Sequence, residues 1–316
     1  MKIVDAHCDI WWDVAHRRGR GERNVLERVH LPAMRAGTVE GAVFALWTEA
    51  ERESDYVTPT ARMLSARREE LLACESVQAV YSVRDLEQAR AAGKFWIVTA
   101  AEGMDAIGSN PAGIDWYYDH GVRWGMLTWN GENGLAAGAR CPHGGGLTSA
   151  GRQAVRRMEE LGMVVDVSHL NDDGFADVVR QARGPVVASH SNCRRICDVP
   201  RNLTDDQLRA LRDCGGVIGV NAYHGFVHKE REKQTVETLA HHAAHIIDVC
   251  GIDHVGFGFD FCAYLGPGND PIPDMTGPER IGCMVERLRD MGLRTDEMEK
   301  ICRGNWLRVL ETVLQK

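Results

Sequence analysis

Short apolar runs rich in β-branched residues, each bounded by turn residues, recur eight times along the chain. They cover Ile3–Ala6, Gly41–Trp47, Trp96–Ala101, Val122–Thr128, Met163–Val167, Pro185–Ser189, Val217–Asn221 and His254–Asp260. Within them apolar residues are nearly continuous rather than alternating, as in strands covered on both faces. Segments with helical periodicity lie between. Residues 152–162 place Val155, Met158 and Leu161 on one face and stop at Gly162. Thr204 followed by Asp205 and Asp206 opens a second helix, and 235–251 is a third amphipathic run. Eight alternations of strand and helix predict an α/β fold, a (β/α)₈ TIM barrel. A doubly wound open sheet is the alternative, but the Gly-rich phosphate fingerprint after its first strand is missing. The glycines of "CPHGGGLT" (141–148) follow no strand and lack a P-loop lysine, so they read as a loop. No repeat, low-complexity tract or change of composition divides the chain. The expectation is one barrel domain over 1–316, with an extra helical segment at about 49–95, carried by "ARMLSARREELLA".

Composition narrows the function classes. With 44% hydrophobic and 26% charged residues, the 316-residue chain is an ordinary globular mixture. A formal charge of -8 argues against a nucleic-acid partner. Ten irregularly spaced cysteines with no CxxC pair read as reduced thiols rather than a disulfide framework. No apolar run approaches a membrane span, and no charged-then-apolar leader precedes the first strand. These features predict a cytoplasmic protein without a membrane partner.

Barrel enzymes carry their chemistry at the C-terminal ends of the strands. Here the first strand ends in His7 and Asp9, the third in Glu102, the fifth in His169, the sixth in His190 and the eighth in Asp260. Each alone is also compatible with a polar group satisfied in the core or by water. Six metal-competent side chains at one topological level are what a metal site explains. One catalytic zinc takes about three protein ligands. Six candidates suit two ions that share a carboxylate and a hydroxide. Nitrogen and oxygen donors fit zinc, with Mn, Co or Fe as alternatives. Cys8 lies between two of these residues but points to the other face, and is assigned to packing.

Taken together, these segments resemble the membrane (renal) dipeptidase family of the amidohydrolase superfamily. "DAHCDI", "AAEG", "VDVSHL", "VVASHSNCRRICDVPRNLTDDQL" and "HVGFGFDF" are similar to its successive motifs, nearly end to end. The H-x-D opening and the glutamate ending the third strand separate it from relatives that open with H-x-H and use a carbamylated lysine. The resemblance implies a metal-dependent hydrolase barrel binding two Zn²⁺, with His7 and Asp9 on one ion, His169 and His190 on the other, and Glu102 bridging. It implies that a metal-bridging hydroxide attacks the peptide bond of a dipeptide, with Asp260 carrying the proton. Arg201 matches the arginine that grips the substrate's terminal carboxylate. The resemblance also implies tolerance of a C-terminal D-residue, and a homodimer. Asp5 and Asp166 are candidates for orienting the ligands from behind.

Two departures stand out. Trp129 occupies the place where the mammalian members carry a substrate-touching histidine, which puts substrate range in question; Asn130 is the candidate replacement hydrogen-bond donor. Cys262 and Ala263 follow Asp260 where many members have an acid and a glycine, a change expected to affect the loop lip rather than the metals. The histidines of "HHAAH" (241–245) lack the glutamate of a zinc-protease helix and read as structural. The competing functions are another binuclear amide or lactone hydrolase on the same barrel, and a non-catalytic binding barrel.

Overall fold

In the computed structural model, residues 1–48 and 55–315 are described. Nine parallel strands form one sheet: β1 (Ile3–Cys8), β2 (Val39–Trp47), β3 (Val77–Ala79), β4 (Phe95–Glu102), β5 (Val122–Met126), β6 (Val164–Asp166), β7 (Val186–Val187), β8 (Ile218–Val220) and β9 (Val255–Phe257). The order β7-β6-β5-β4-β2-β1-β9-β8 is that of a (β/α)₈ barrel. The ring closes where Ala188 pairs with Ile218. Each of the eight expected strands is present.

The extra strand β3 escaped the sequence reading because it is three residues long. It pairs only with the start of β4 (Val77 with Phe95, Ala79 with Ile97) and lies outside the ring. The insertion between β2 and β4 contains the expected helix, Val57–Ala73, and a second one, Val83–Ala91, which Ser82 caps by accepting from the Asp85 N–H. Residues 49–54 of the expected insertion fall outside the described residues. The other predicted helices are Ser149–Leu161, Asp205–Asp213 and Val236–Cys250, opened by Thr148, Thr204 and Thr235. Thr204 forms a reciprocal capping box with Gln207.

Burial on both faces accounts for the continuous apolar runs. Val43, Ala45, Trp96, Val98, Ala100, Trp124 and Met126 pack together with Trp306 and Leu310 of the C-terminal helix Asn305–Val313. Alternate positions, such as Ala42, Phe44, Leu46, Ile97 and Ala101, pack in the larger core against the surrounding helices. At the mouth, backbones approach closely. A Cβ at Gly258 would lie 1.7 Å from the Ser189 carbonyl oxygen, and one at Gly219 would lie 1.9 Å from it. Only glycine admits that approach, which sets the chain height from which His190 projects.

Candidate metal centre

Each site residue sits at or just past the end of a strand. His7 is in β1 and Asp9 follows it. Glu102 ends β4, and His169, His190 and Asp260 each lie three residues beyond β6, β7 and β9. His169 (φ 73°) and Asp260 (φ 60°) hold left-handed backbone conformations that are uncommon for non-glycine residues. That local strain redirects both side chains where the strands break off.

The six side chains meet. Glu102 Oε1 lies 2.7 Å from His169 Nε2 and 3.6 Å from His190 Nε2. Glu102 Oε2 lies 3.3 Å from His7 Nε2, so one carboxylate reaches both halves of the cluster. His7 Nε2 is 3.6 Å from Asp9 Oδ1 and 4.0 Å from Asp260 Oδ1. The rings of His7 and His190 stack at 3.6 Å. All but Asp260 are buried.

The donor atoms fit cations. His169 Nδ1 is 3.0 Å from Asn130 Oδ1, and His190 Nδ1 is 2.7 Å from Ser189 Oγ. The Asn130 carbonyl places the His169 proton on Nδ1, and the Ser189 hydroxyl, able to accept or donate, admits the same tautomer at His190. The two Nε2 lone pairs then face each other across 2.8 Å, an arrangement that repels unless a cation lies among them. His7 Nε2, Asp9 Oδ1 and Glu102 Oε2 are buried without a hydrogen-bond partner. Such orphaned groups are costly, and a metal with nitrogen and oxygen ligands satisfies them. Two overlapping triads, His7–Glu102–His190 and His7–Asp9–Asp260, bring their donor atoms within 4.8 Å of one another.

The electrostatics of these residues agree. Burial, then the charges of Arg201 and His7, hold His169 and His190 well below the ordinary imidazole range; they stay neutral, as ligands must. At His7 burial opposes protonation, but Glu102 and Asp9 outweigh it and push the imidazole well above its usual value. Burial, then Asp9, pushes Glu102 well above the carboxylate range. The centre is a concentration of acids that seeks a positive charge.

Around it, Asp5 Oδ1 accepts from the backbone N–H of His7 (3.3 Å) and Phe259 (3.0 Å). The β1–β2 register slips between Asp5 and Cys8, so simple alternation does not extend from Asp5 to His7. Asp166 Oδ1 accepts from the Ser168 and Ser189 N–H groups, and its Oδ2 from Trp124 Nε1 at 2.7 Å. Both carboxylates therefore fix the main chain beneath the ligands rather than an imidazole. Asn130 likewise spends its carbonyl on His169. Asp260 accepts from Asn221 Nδ2 (3.0 Å) and from the Cys262 thiol (2.8 Å), which also lies 3.2 Å from Asp9 Oδ2. Cys262 therefore touches two residues of the centre, where the sequence placed it only at the loop lip. Asn221 went unread, although its place at the end of a strand in "GVNAYH" was a usable signal.

The centre opens into a cavity of about 660 Å³ that also contains Trp47, Trp129, Arg140, Arg201, Tyr223 and Phe226. Arg201 is buried. Its Nη groups donate to Ser191 Oγ (3.4 Å) and the His190 carbonyl (3.2 Å), and its Nε has no partner. No described carboxylate pairs with it, and burial lowers its pKa to about 10, leaving it charged at neutral pH. The "HHAAH" histidines diverge. His242 is buried against Val227 and Cys193, His245 pairs with Asp205, and His241 lies near Glu237 on the surface.

The sequence profile described as membrane dipeptidase, peptidase family M19, matches residues 1–316. An uncharacterised dipeptidase of Schizosaccharomyces pombe is 30% identical over 91% of this chain and 73% of its own length. The crystal structure of dipeptidase AC, a metallopeptidase of family M19, superposes with a TM-score of 0.88 at 26% identity, covering 100% of this chain and 99% of that one. A metallopeptidase from Rhodobacter sphaeroides, liganded with a phosphinate mimic of the dipeptide L-Ala-D-Ala, gives 0.86 at 25% identity over 99% of both chains. No helix among the described residues is long and apolar enough to cross a membrane. With its barrel, its convergent ligands and a match along its whole length, the chain belongs to the membrane dipeptidase family of metallopeptidases.

Proposed function

We propose that this metallo-dipeptidase uses two zinc ions to hydrolyse dipeptides bearing a free C-terminal carboxylate, including those with a C-terminal D-residue. The supporting observation is the pairing, in one cavity, of an acid-rich ligand cluster with a buried arginine that has no described acid partner. His7 and Asp9 would hold one ion, His169 and His190 the other, and Glu102 both. When bound, such a pair supplies a hydroxide at neutral pH and polarises the scissile carbonyl. The protein's own contributions follow from position. Arg201 brings a planar guanidinium to the cavity, a match for a carboxylate that a lysine lacks. Asp260, less buried than the ligands and held by Asn221 and Cys262, takes the proton of the attacking water and returns it to the leaving amine. Asn130 and Ser189 keep the imidazoles oriented. The mimic bound by the Rhodobacter relative ends in D-alanine, which supports the D-residue reading. Ten free cysteines suit a reducing compartment, and we place the protein in the cytoplasm.

The test is a panel of L,L and L,D dipeptides, each free and C-terminally amidated, offered to zinc-loaded protein. Free dipeptides are expected to turn over, and their amides to lose at least about a hundredfold in kcat/KM, since a site built for a charged group rejects the analogue lacking it. Equal rates on free and amidated substrates would overturn the Arg201 role. Turnover of esters or lactones alone would overturn the dipeptidase assignment.

A further inference from the structure

We propose that Trp47 and Trp129 form the subsite for the substrate's N-terminal side chain and select dipeptides that begin with a large apolar residue, an aromatic one above all. The inference rests on the dipeptidase reading above and adds to it the substrate class.

Ring order fixes the polarity of the bound dipeptide. Arg201 lies in the segment after β7, and its Nη2 bonds the His190 carbonyl. Asn221, at the end of β8, donates to the same carbonyl and to Asp260. The carboxylate anchor and the proton carrier are therefore tied to one side of the mouth, and the C-terminal residue lies between them. In the closed ring β2 stands directly opposite β7. The N-terminal residue extends across the cations towards β2, since an extended residue spans about 3.5 Å.

What it meets there is aromatic. Trp47 ends β2, and Trp129 follows β5. Their rings meet edge to face, with centroids 5.4 Å apart and planes at 72°. Trp129 in turn stands 6.4 Å from the His169 ring, so this corner borders the metal centre. Both tryptophans face the cavity, and Trp47 is only 8% exposed, which makes it a fixed wall rather than a mobile lip. Arg140 lies over the Trp129 ring, 5.7 Å from its centroid, and the T-shaped pair presents its remaining ring surface to a third aromatic group, an arrangement such rings favour. The opposite wall holds Arg201, Tyr223 and Phe226, with Arg201 over the Phe226 ring at 5.2 Å. The cavity thus has an aromatic end and a carboxylate-binding end. A tryptophan at 129 cannot offer charge or a proton to the reaction; it offers apolar area.

The test measures kcat/KM for X-Ala dipeptides with X = Gly, Ala, Leu, Phe and Trp, using zinc-loaded wild type, Trp129→Ala and Trp47→Leu. Wild type is expected to prefer Phe-Ala over Gly-Ala by at least about tenfold. Each substitution is expected to cut that preference to about threefold or less. In parallel, calorimetry on zinc-loaded Asp260→Asn, with and without Trp129→Ala, reads the same order as binding affinity, so the result does not depend on turnover. A wild-type profile flat in X, or a Trp129→Ala loss equal for every X in both rate and affinity, overturns the subsite. If no dipeptide is hydrolysed but the binding order holds, the dipeptidase reading fails while the subsite survives.

Discussion

Asp260→Asn isolates the proton-transfer step. Asp260 Oδ2 accepts from Asn221 Nδ2 at 3.0 Å, and Oδ1 accepts from the Cys262 thiol at 2.8 Å. Asparagine keeps one oxygen for Asn221 and turns its amide towards the sulfur, a weak acceptor. It also tolerates the left-handed backbone at this position (φ 60°). The structural cost is one altered hydrogen bond, about 1 kcal/mol. Glu102, His7, Asp9, His169 and His190 are untouched, and His7 Nε2 lies 4.0 Å from Asp260 Oδ1. Removing a general acid–base group costs about 10²–10⁴ in rate, or about 3–5 kcal/mol of barrier. The expectation is that kcat falls by that factor while the protein retains two zinc ions per chain and melts within about 4 °C of wild type. The assay pairs steady-state kinetics with metal analysis of the same sample. A kcat within about threefold of wild type at equal occupancy would refute the proton-carrier role. A loss that tracks missing zinc would instead make Asp260 chiefly a ligand.

Two further outcomes follow from the same geometry. Among the described carboxylates Glu102 reaches both His7 and His169, at 3.3 and 2.7 Å, so Glu102→Gln is expected to leave fewer than two zinc ions per chain after dialysis, with activity lost in step; two retained ions would remove its bridging role. Burial lowers the His242 pKa to about 4, from the ordinary imidazole value of 6.5, so the unfolded chain takes up a proton that the folded chain refuses. Its contribution is complete above pH 6.5 and is lost as pH falls towards 4, by up to about 3 kcal/mol. His242→Gln, which can still accept from Cys193 N–H and donate to the Val227 carbonyl, is expected to flatten the acid limb of stability in urea melts of zinc-free protein; parallel pH curves for the two proteins would contradict this.

Five of the eight strand ends carried a metal-competent residue, and those residues converge because a barrel brings distant strand ends to one rim. Periodicity also found the helix at 149–161 and the capping box at Thr204, since both signals are local. It missed β3, whose three residues hold no period and whose pairing depends on β4. It set Asp5 behind the ligands, where its carboxylate accepts from the His7 and Phe259 N–H groups. It offered Asn130 as a hydrogen-bond donor; the residue lines the cavity, and its carbonyl meets His169.

The sequence alone determined which residues stand at the mouth, because strand periodicity and the identity of the last residue are properties of short segments. Only the tertiary structure decided which atoms meet there: the facing Nε2 lone pairs, the double reach of Glu102, the thiol of Cys262 beside two acids, and Trp47 across from Arg201. Most of those contacts join residues tens to hundreds of positions apart, and they are set by ring closure, register slips and positive-φ turns. None of these leaves a local trace in composition or spacing.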